Sequence, residues 1–172
     1  PQIMSGTNAL YLTFSSLLKP GDTMISLTGT PYDSLQEMIG LSGDSTQSLK
    51  ANGVKYEQID LLTLENGDND FDEATIVKRL ERKDVKLVEI QRSRGYSARA
   101  SLTIDKIEKI IQAIRSVNQD VIIMVDNCYG ELVEYKEPGH VGADVVVGSL
   151  MKNLGGGIAS TGGYVAGRKD LI

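Results

Sequence analysis

Short apolar runs alternate along this chain with longer segments in which apolar residues recur every three or four positions. Apolar runs rich in β-branched side chains predict strands, and the polar or glycine-containing residues after them predict loops. The strands predicted in this way cover residues 23–27, 54–59, 85–91, 121–125 and 144–148, with a short last strand over 162–167 that could run antiparallel. Strands that alternate with helical segments indicate an α/β fold.

The clearest helix is predicted over residues 104–117, where six apolar side chains follow a period of about 3.6 residues. Thr103 suits the N-cap of this helix, and Asp105 suits its first turn. Further helices are predicted over 7–18, 45–51 and 72–82, and a short one after the loop at 30–34. Helical crossovers imply a mostly parallel sheet, here in a three-layer α/β/α sandwich, with a ligand site at the carboxyl ends of its strands.

Composition narrows the classes of function. The 172 residues are enough for one domain with a core of its own. The net charge of −5 and the pI of about 4.9 argue against a nucleic-acid partner or an anionic membrane surface. A single cysteine, Cys128, rules out an internal disulfide framework and fits a reducing cytoplasm. A single histidine, His140, argues against a histidine-built metal site and a Ser-His-Asp triad, so no metal site is predicted.

A lysine and an aspartate follow two different strands of this predicted sheet. Lys152 lies three residues after Ser149, at the end of an apolar strand, and the glycines 155–157 follow. Such a glycine run suits a backbone that approaches another group closely or adopts positive φ. Asp126 ends the strand before it. A carboxylate for a pyridine nitrogen and a lysine for an aldehyde carbon are the pair that pyridoxal phosphate (PLP) requires.

The start of the first helix suits a phosphate group. Ser5, Gly6 and Thr7 precede or open this helix, where free N–H groups and the helix dipole favour an anion. Each of these signals has a simpler explanation when taken alone, because the triplet could be only a helix cap, Asp126 a turn residue and Lys152 a surface lysine. Their combination favours PLP.

Several longer motifs resemble one family. They are Ser5-Gly6-Thr7-x-Ala9, Pro31-Tyr32-Asp33-Ser34-Leu35, Gln91-Arg92-Ser93-Arg94-Gly95-Tyr96, Val125-Asp126-Asn127-Cys128-Tyr129-Gly130-Glu131 and Lys152-Asn153-x-Gly155-Gly156-Gly157. The chain resembles the aluminium-resistance proteins, which are similar to cystathionine β-lyases and methionine γ-lyases and have the fold-type I architecture of PLP enzymes. Two residues depart from the family pattern: Asn8 stands in place of histidine and Leu154 in place of proline.

The resemblance implies roles for individual side chains. Lys152 would attach PLP and move protons, Asp126 would pair with the pyridine nitrogen, and Tyr32 would stack on the ring as a second catalytic residue. The cofactor-binding set would comprise Ser5, Gly6, Thr7, Tyr32, Ser93, Asp126, Cys128, Ser149 and Lys152. Arg94 would bind the substrate carboxylate through its forked donors. Tyr129 and Glu131 are candidates for a supporting role, and His140 is interpreted as a loop residue.

The resemblance further implies a cytoplasmic lyase that breaks a Cβ–S or Cγ–S bond of a sulfur-containing amino acid. Residues 1–172 would form an incomplete large domain, without an N-terminal segment and a small C-terminal domain. Two such subunits, in a homodimer or homotetramer, would share the site. Three alternative functions stay open: an aminotransferase or decarboxylase, a non-catalytic module of the same fold, and a Rossmann protein. For the last, the chain lacks the Gly-x-Gly-x-x-Gly motif that the Rossmann fold needs.

Overall fold

A six-stranded sheet forms the centre of the protein in a computed structural model that describes residues 2–172. The strands are β1 (Thr23–Ser26), β2 (Lys55–Gln58), β3 (Leu62–Thr63), β4 (Asn69–Asp70), β5 (Val85–Gln91), β6 (Ile122–Asp126), β7 (Val145–Ser149) and β8 (Gly163–Gly167). The sheet order is β2-β1-β5-β6-β7-β8, and β3 pairs with β4 separately. All pairs in the large sheet are parallel except β7 with β8, which confirms the predicted sheet and its antiparallel last strand.

Helices cover both faces of the sheet. They are α1 (Gly6–Leu17), α2 (Asp33–Ile39), α3 (Glu73–Leu80) and α4 (Ile104–Val117), with a short 3-10 helix at Pro138–Val141. One core cluster joins α1 and α2 to one sheet face, and a second joins α3 and α4 to the other. The three-layer arrangement is therefore as predicted. Within residues 2–172, no helix is both long and apolar enough to cross a bilayer.

Alternation along the strands decides which side chains face which helices. Leu87 of β5 and Met124 of β6 pack in the cluster with α1 and α2, whereas Val88 and Val125 pack in the cluster with α3 and α4. Successive side chains of a strand point to opposite faces of a sheet. Gln91 and Asp126, which end β5 and β6, consequently lie on the α1–α2 face.

One predicted helix was wrong. Residues 45–51 form turns, in which the hydroxyl of Ser48 accepts a hydrogen bond from the backbone N–H of Ala51 (3.2 Å). The backbone of Leu49 is bound instead to Met38 in α2 (3.0 Å) and to Val54 (3.0 Å). Serine side chains that bond to nearby backbone compete with helix formation, and here the competing bonds prevail.

Candidate active site

A cavity of about 380 Å³ lies at the carboxyl ends of the parallel strands, against the N-terminus of α1. Its walls come from the loops that follow β1, β5, β6 and β7 and from the first residues of α1. The lining residues are Ser5, Gly6, Thr7, Tyr32, Asp33, Ser34, Gln91, Ser93, Gly95, Tyr96, Asp126, Cys128, Tyr129, Ser149, Met151 and Lys152. All nine residues predicted to bind a cofactor are in this set.

Lys152 enters the cavity from the turn that follows β7. Its side chain is half-buried, and Nζ lies 4.2 Å from the centre of the Tyr129 ring, within the range of a cation–π interaction. The chain reverses just beyond it, where Gly156 and Gly157 have φ values of 52° and 81° that other residues rarely adopt. The glycine run thus serves the turn that presents this lysine.

Asp126 closes the floor of the cavity at the end of β6. It is 2% exposed, and its Oδ1 accepts a hydrogen bond from the backbone N–H of Cys128 (3.1 Å). Burial raises the pKa of the Asp126 carboxyl, while its bonds with Cys128 and the nearby charge of Lys152 act in the opposite direction. The lysine and the aspartate therefore interact electrostatically across one cavity.

The N-terminus of α1 forms the opposite wall. Ser5 is the N-cap, and its hydroxyl accepts a hydrogen bond from the backbone N–H of Asn8 (3.1 Å). Gly6 fits tightly, because a Cβ there would lie 3.0 Å from Cβ of Ser149 and 3.6 Å from Sγ of Cys128. Free N–H groups at a helix start, with hydroxyls beside them, favour an anionic group such as a phosphate.

Gln91 connects two walls of the cavity. Its Oε1 accepts from the backbone N–H of Tyr32 (3.2 Å), and its Nε2 donates to the carbonyl of Ser93 (3.1 Å). Burial and the charge of Asp126 hold the pKa of the Tyr32 phenol above its usual range, although a hydrogen bond with Thr7 opposes them. The phenol is therefore neutral at physiological pH.

Cys128 lies between Asp126 and the start of α1. Burial, and then the neighbouring Asp126 carboxylate, raise the pKa of its thiol to about 12. The side chain is 7% exposed and therefore remains a protonated thiol, which suits a packing surface rather than a nucleophile.

Other candidates lie outside this cavity. Arg94 is exposed and does not line it. Glu131 and His140 line a separate cavity with Val146, which belongs to the core cluster on the α3–α4 face. The described part of the chain holds no group of three or more His, Cys, Asp or Glu side chains placed to bind a metal ion.

Comparison with known proteins identifies the family. The sequence matches the methionine gamma-lyase family over residues 1–172. The chain belongs to this family. It is 44% identical over 173 residues to a protein of Bacillus subtilis (strain 168) named Uncharacterized protein YnbB, matching all of this chain and 40% of that protein.

Solved structures show the same fold. A candidate cystathionine beta-lyase involved in aluminum resistance from Clostridium acetobutylicum is 46% identical, with a TM-score of 0.91 over 100% of this chain and 40% of that one. A carbon-sulfur lyase involved in aluminum resistance from Clostridium novyi NT is 45% identical, with a TM-score of 0.88 over 99% of this chain and 39% of that one. The resemblance and the fold-type I class are thus confirmed. The chain spans about 40% of the length of these relatives.

Methionine gamma-lyase family enzymes are in general PLP-dependent, and the cavity has features that fit this cofactor. The buried Asp126 suits a protonated ring nitrogen, and the half-buried Lys152 suits an aldehyde carbon. The N-terminus of α1, whose residues Ser5, Gly6 and Thr7 line the cavity, suits a phosphate. All three features meet in one cavity.

Proposed function

We propose that this chain forms the cofactor-binding part of a PLP-dependent carbon–sulfur lyase that acts on a sulfur-containing amino acid. The observation that carries the proposal is the meeting of Lys152, Asp126 and the N-terminus of α1 in one cavity. Membership of the methionine gamma-lyase family supports the type of reaction. The relative from Clostridium novyi NT, named a carbon-sulfur lyase, supports it as well.

Each wall of the cavity would hold one part of the cofactor. Lys152 would attach the aldehyde carbon, and Asp126 would pair with the ring nitrogen. The phosphate would be bound at the α1 N-terminus, by the hydroxyls and N–H groups of Ser5, Gly6, Thr7 and Ser149. The remaining contacts proposed are with Tyr32 and Cys128 on the two ring faces and Ser93 near the ring hydroxyl. When bound, PLP supplies the electron sink that makes the Cα proton of an amino acid acidic.

The protein side chains would then handle protons and position the substrate. Lys152, freed by the substrate amine, would take the proton from Cα and return protons as the C–S bond breaks. Overall, the amino acid and one water give a thiol, ammonia and a 2-oxo acid. Arg94 stays a predicted ligand of the substrate carboxylate, and its neighbours Ser93 and Gly95 line the cavity.

The rim of the cavity supports the prediction of a shared site. Tyr96, Tyr129 and Met151 line the cavity and are 91%, 60% and 53% exposed. Large apolar side chains exposed together mark surfaces that other protein covers. A second copy of the chain, in a homodimer or homotetramer, is the proposed cover, and a cytoplasmic location is part of the same proposal.

Lys152→Ala tests the function, with Lys169→Ala as the matched control because Lys169 is exposed and does not line the cavity. The full-length protein is incubated with PLP, reduced with borohydride and mapped by mass spectrometry, and thiol release from L-methionine and L-cystathionine is measured. We expect one modified peptide containing Lys152 and loss of thiol release only in the Lys152 variant. Labelling spread over several lysines would reject the assignment of Lys152. Labelling at Lys152 with transamination and no thiol release would indicate an aminotransferase.

A further inference from the structure

Glu89 is a buried acid that the proposed chemistry does not use. It lies in the middle of β5, is 0% exposed, and is paired in register with Ser26 of β1 and Met124 of β6. Because strand side chains alternate, Glu89 lies on the same sheet face as Gln91, two residues farther along β5. A carboxyl group therefore lies inside the protein one strand repeat below the floor of the cavity.

The hydrogen bonds of Glu89 suit a neutral acid. The hydroxyl of Ser26 has one proton for two acceptors, Oε2 of Glu89 (2.8 Å) and the carbonyl of Gly29 (3.0 Å), and Oε1 has no hydrogen-bond partner within residues 2–172. An unpartnered oxygen of an ionised carboxylate costs far more in a dry interior than the same atom of a protonated acid. One hydroxyl is a weak compensation for a full buried charge.

The groups around Glu89 also favour the neutral form. Asp126 of β6 acts on it as a like charge, while the half-buried Arg99 of the loop after β5 acts in the opposite direction. Tyr32 and Tyr56 are the other titratable groups near it, and both are neutral phenols whose pKa values Glu89 helps to raise. Helices α1 and α2 cover this face with apolar side chains.

Asp126 is better equipped to hold a charge. It accepts the N–H of Cys128 (3.1 Å) and lies near the ammonium group of Lys152. Two buried carboxyls that interact do not both ionise easily, so one proton is retained by the member with less compensation.

We infer that Glu89 holds a proton at neutral pH and thereby leaves Asp126 as the ionised member of this carboxyl pair. Glu89 is then a positioning residue, which acts on the cavity through the charge of Asp126. The effect of the Asp126 charge on a cofactor ring nitrogen rests on the proposed function. The location of the proton on Glu89 does not rest on it. Consistent with it, burial raises the pKa of Glu89 to about 8.

The test follows the infrared band of protonated carboxyl groups in the cofactor-free full-length protein between pH 5 and pH 10. At pH 7 we expect Glu89→Gln to lose one protonated carboxyl that Glu65→Gln, a change in an exposed turn, retains. Asp126→Asn removes the like charge, so Glu89 should lose its proton at a lower pH. Ser26→Ala removes the bond that favours the ionised form, so Glu89 should lose its proton at a higher pH.

Three results would overturn the inference. They are an unchanged band in Glu89→Gln at pH 7, absence of the band from Asp126→Asn at every pH from 5 to 10, and a titration in Asp126→Asn that matches the unaltered protein. The second result would place the proton on Asp126. None of these readouts depends on cofactor or turnover, so failure here and failure of the proposed function are distinguishable.

Discussion

Replacing Glu89 with glutamine should flatten the pH dependence of stability. The pKa of Glu89 rises from 4.5 to about 8 in the folded protein. Between these values the folded state holds a proton that the unfolded state has lost, so the free energy of unfolding falls as pH rises. At about 1.4 kcal/mol for each pH unit, the whole window is worth about 5 kcal/mol, of which about 3 kcal/mol lies between pH 6 and pH 9. Glutamine matches the neutral acid in shape and has no proton to lose.

Urea unfolding of the cofactor-free full-length protein at pH 6, 7, 8 and 9 measures this effect. The stability of Glu89→Gln relative to the unaltered protein should improve by about 3 kcal/mol from the lowest pH to the highest. The same comparison for Glu65→Gln, in an exposed turn, should stay constant. A constant difference for Glu89→Gln would refute the reasoning, because it would mean that Glu89 has the same pKa in the folded and unfolded states.

Two further substitutions test contacts at the site and beyond it. Gly6→Ala should weaken PLP binding in a fluorescence titration by about tenfold or more, because the new Cβ would lie 3.0 Å from Cβ of Ser149. The control is Gly139→Ala, whose Cβ would make only a 3.9 Å contact, and this variant should bind PLP as the unaltered protein does. Asp144→Asn should lower the free energy of unfolding by about 3 kcal/mol in urea, because Arg115 would lose the 7%-exposed carboxylate that it pairs with. An unchanged PLP affinity in Gly6→Ala would contradict the first account, and an unchanged free energy of unfolding in Asp144→Asn would contradict the second.

Most of the fold could be predicted because its elements have strong periodic patterns. The bounds predicted for β5 and α4 agree with the structure at both ends. In β5 a mostly buried run that contains Val85, Val88 and Ile90 ends at the polar Gln91. In α4 the isoleucines recur at the helical period after the cap at Thr103, whose hydroxyl accepts a hydrogen bond from the backbone N–H of Lys106 (3.4 Å). Residues 45–51 had no such pattern, and tertiary bonds decided their conformation.

The gathering of Lys152, Asp126 and the start of α1 also followed from the sequence, because parallel strands bring their carboxyl ends to one edge. The position of Arg94 did not. The loop after β5 turns at Gly95, whose φ is 57°, and the Arg94 carbonyl accepts two hydrogen bonds from Ser97. This local geometry directs the chain so that Gly95, and not Arg94, lines the cavity.

Glu89 was missed for a different reason, which concerns how buried parallel strands encode a site. A strand that is covered on both faces is apolar throughout, so its sequence does not reveal which face a residue occupies. Only the pairing registers place Glu89 on one face with Asp126 and Ser26. The one available signal was an acid between the apolar residues Val88 and Ile90, since burial of a carboxyl demands compensation or a proton. The α1–α2 face is thus apolar toward the amino ends of its strands, as at Leu87, and polar toward their carboxyl ends, where a ligand would be bound.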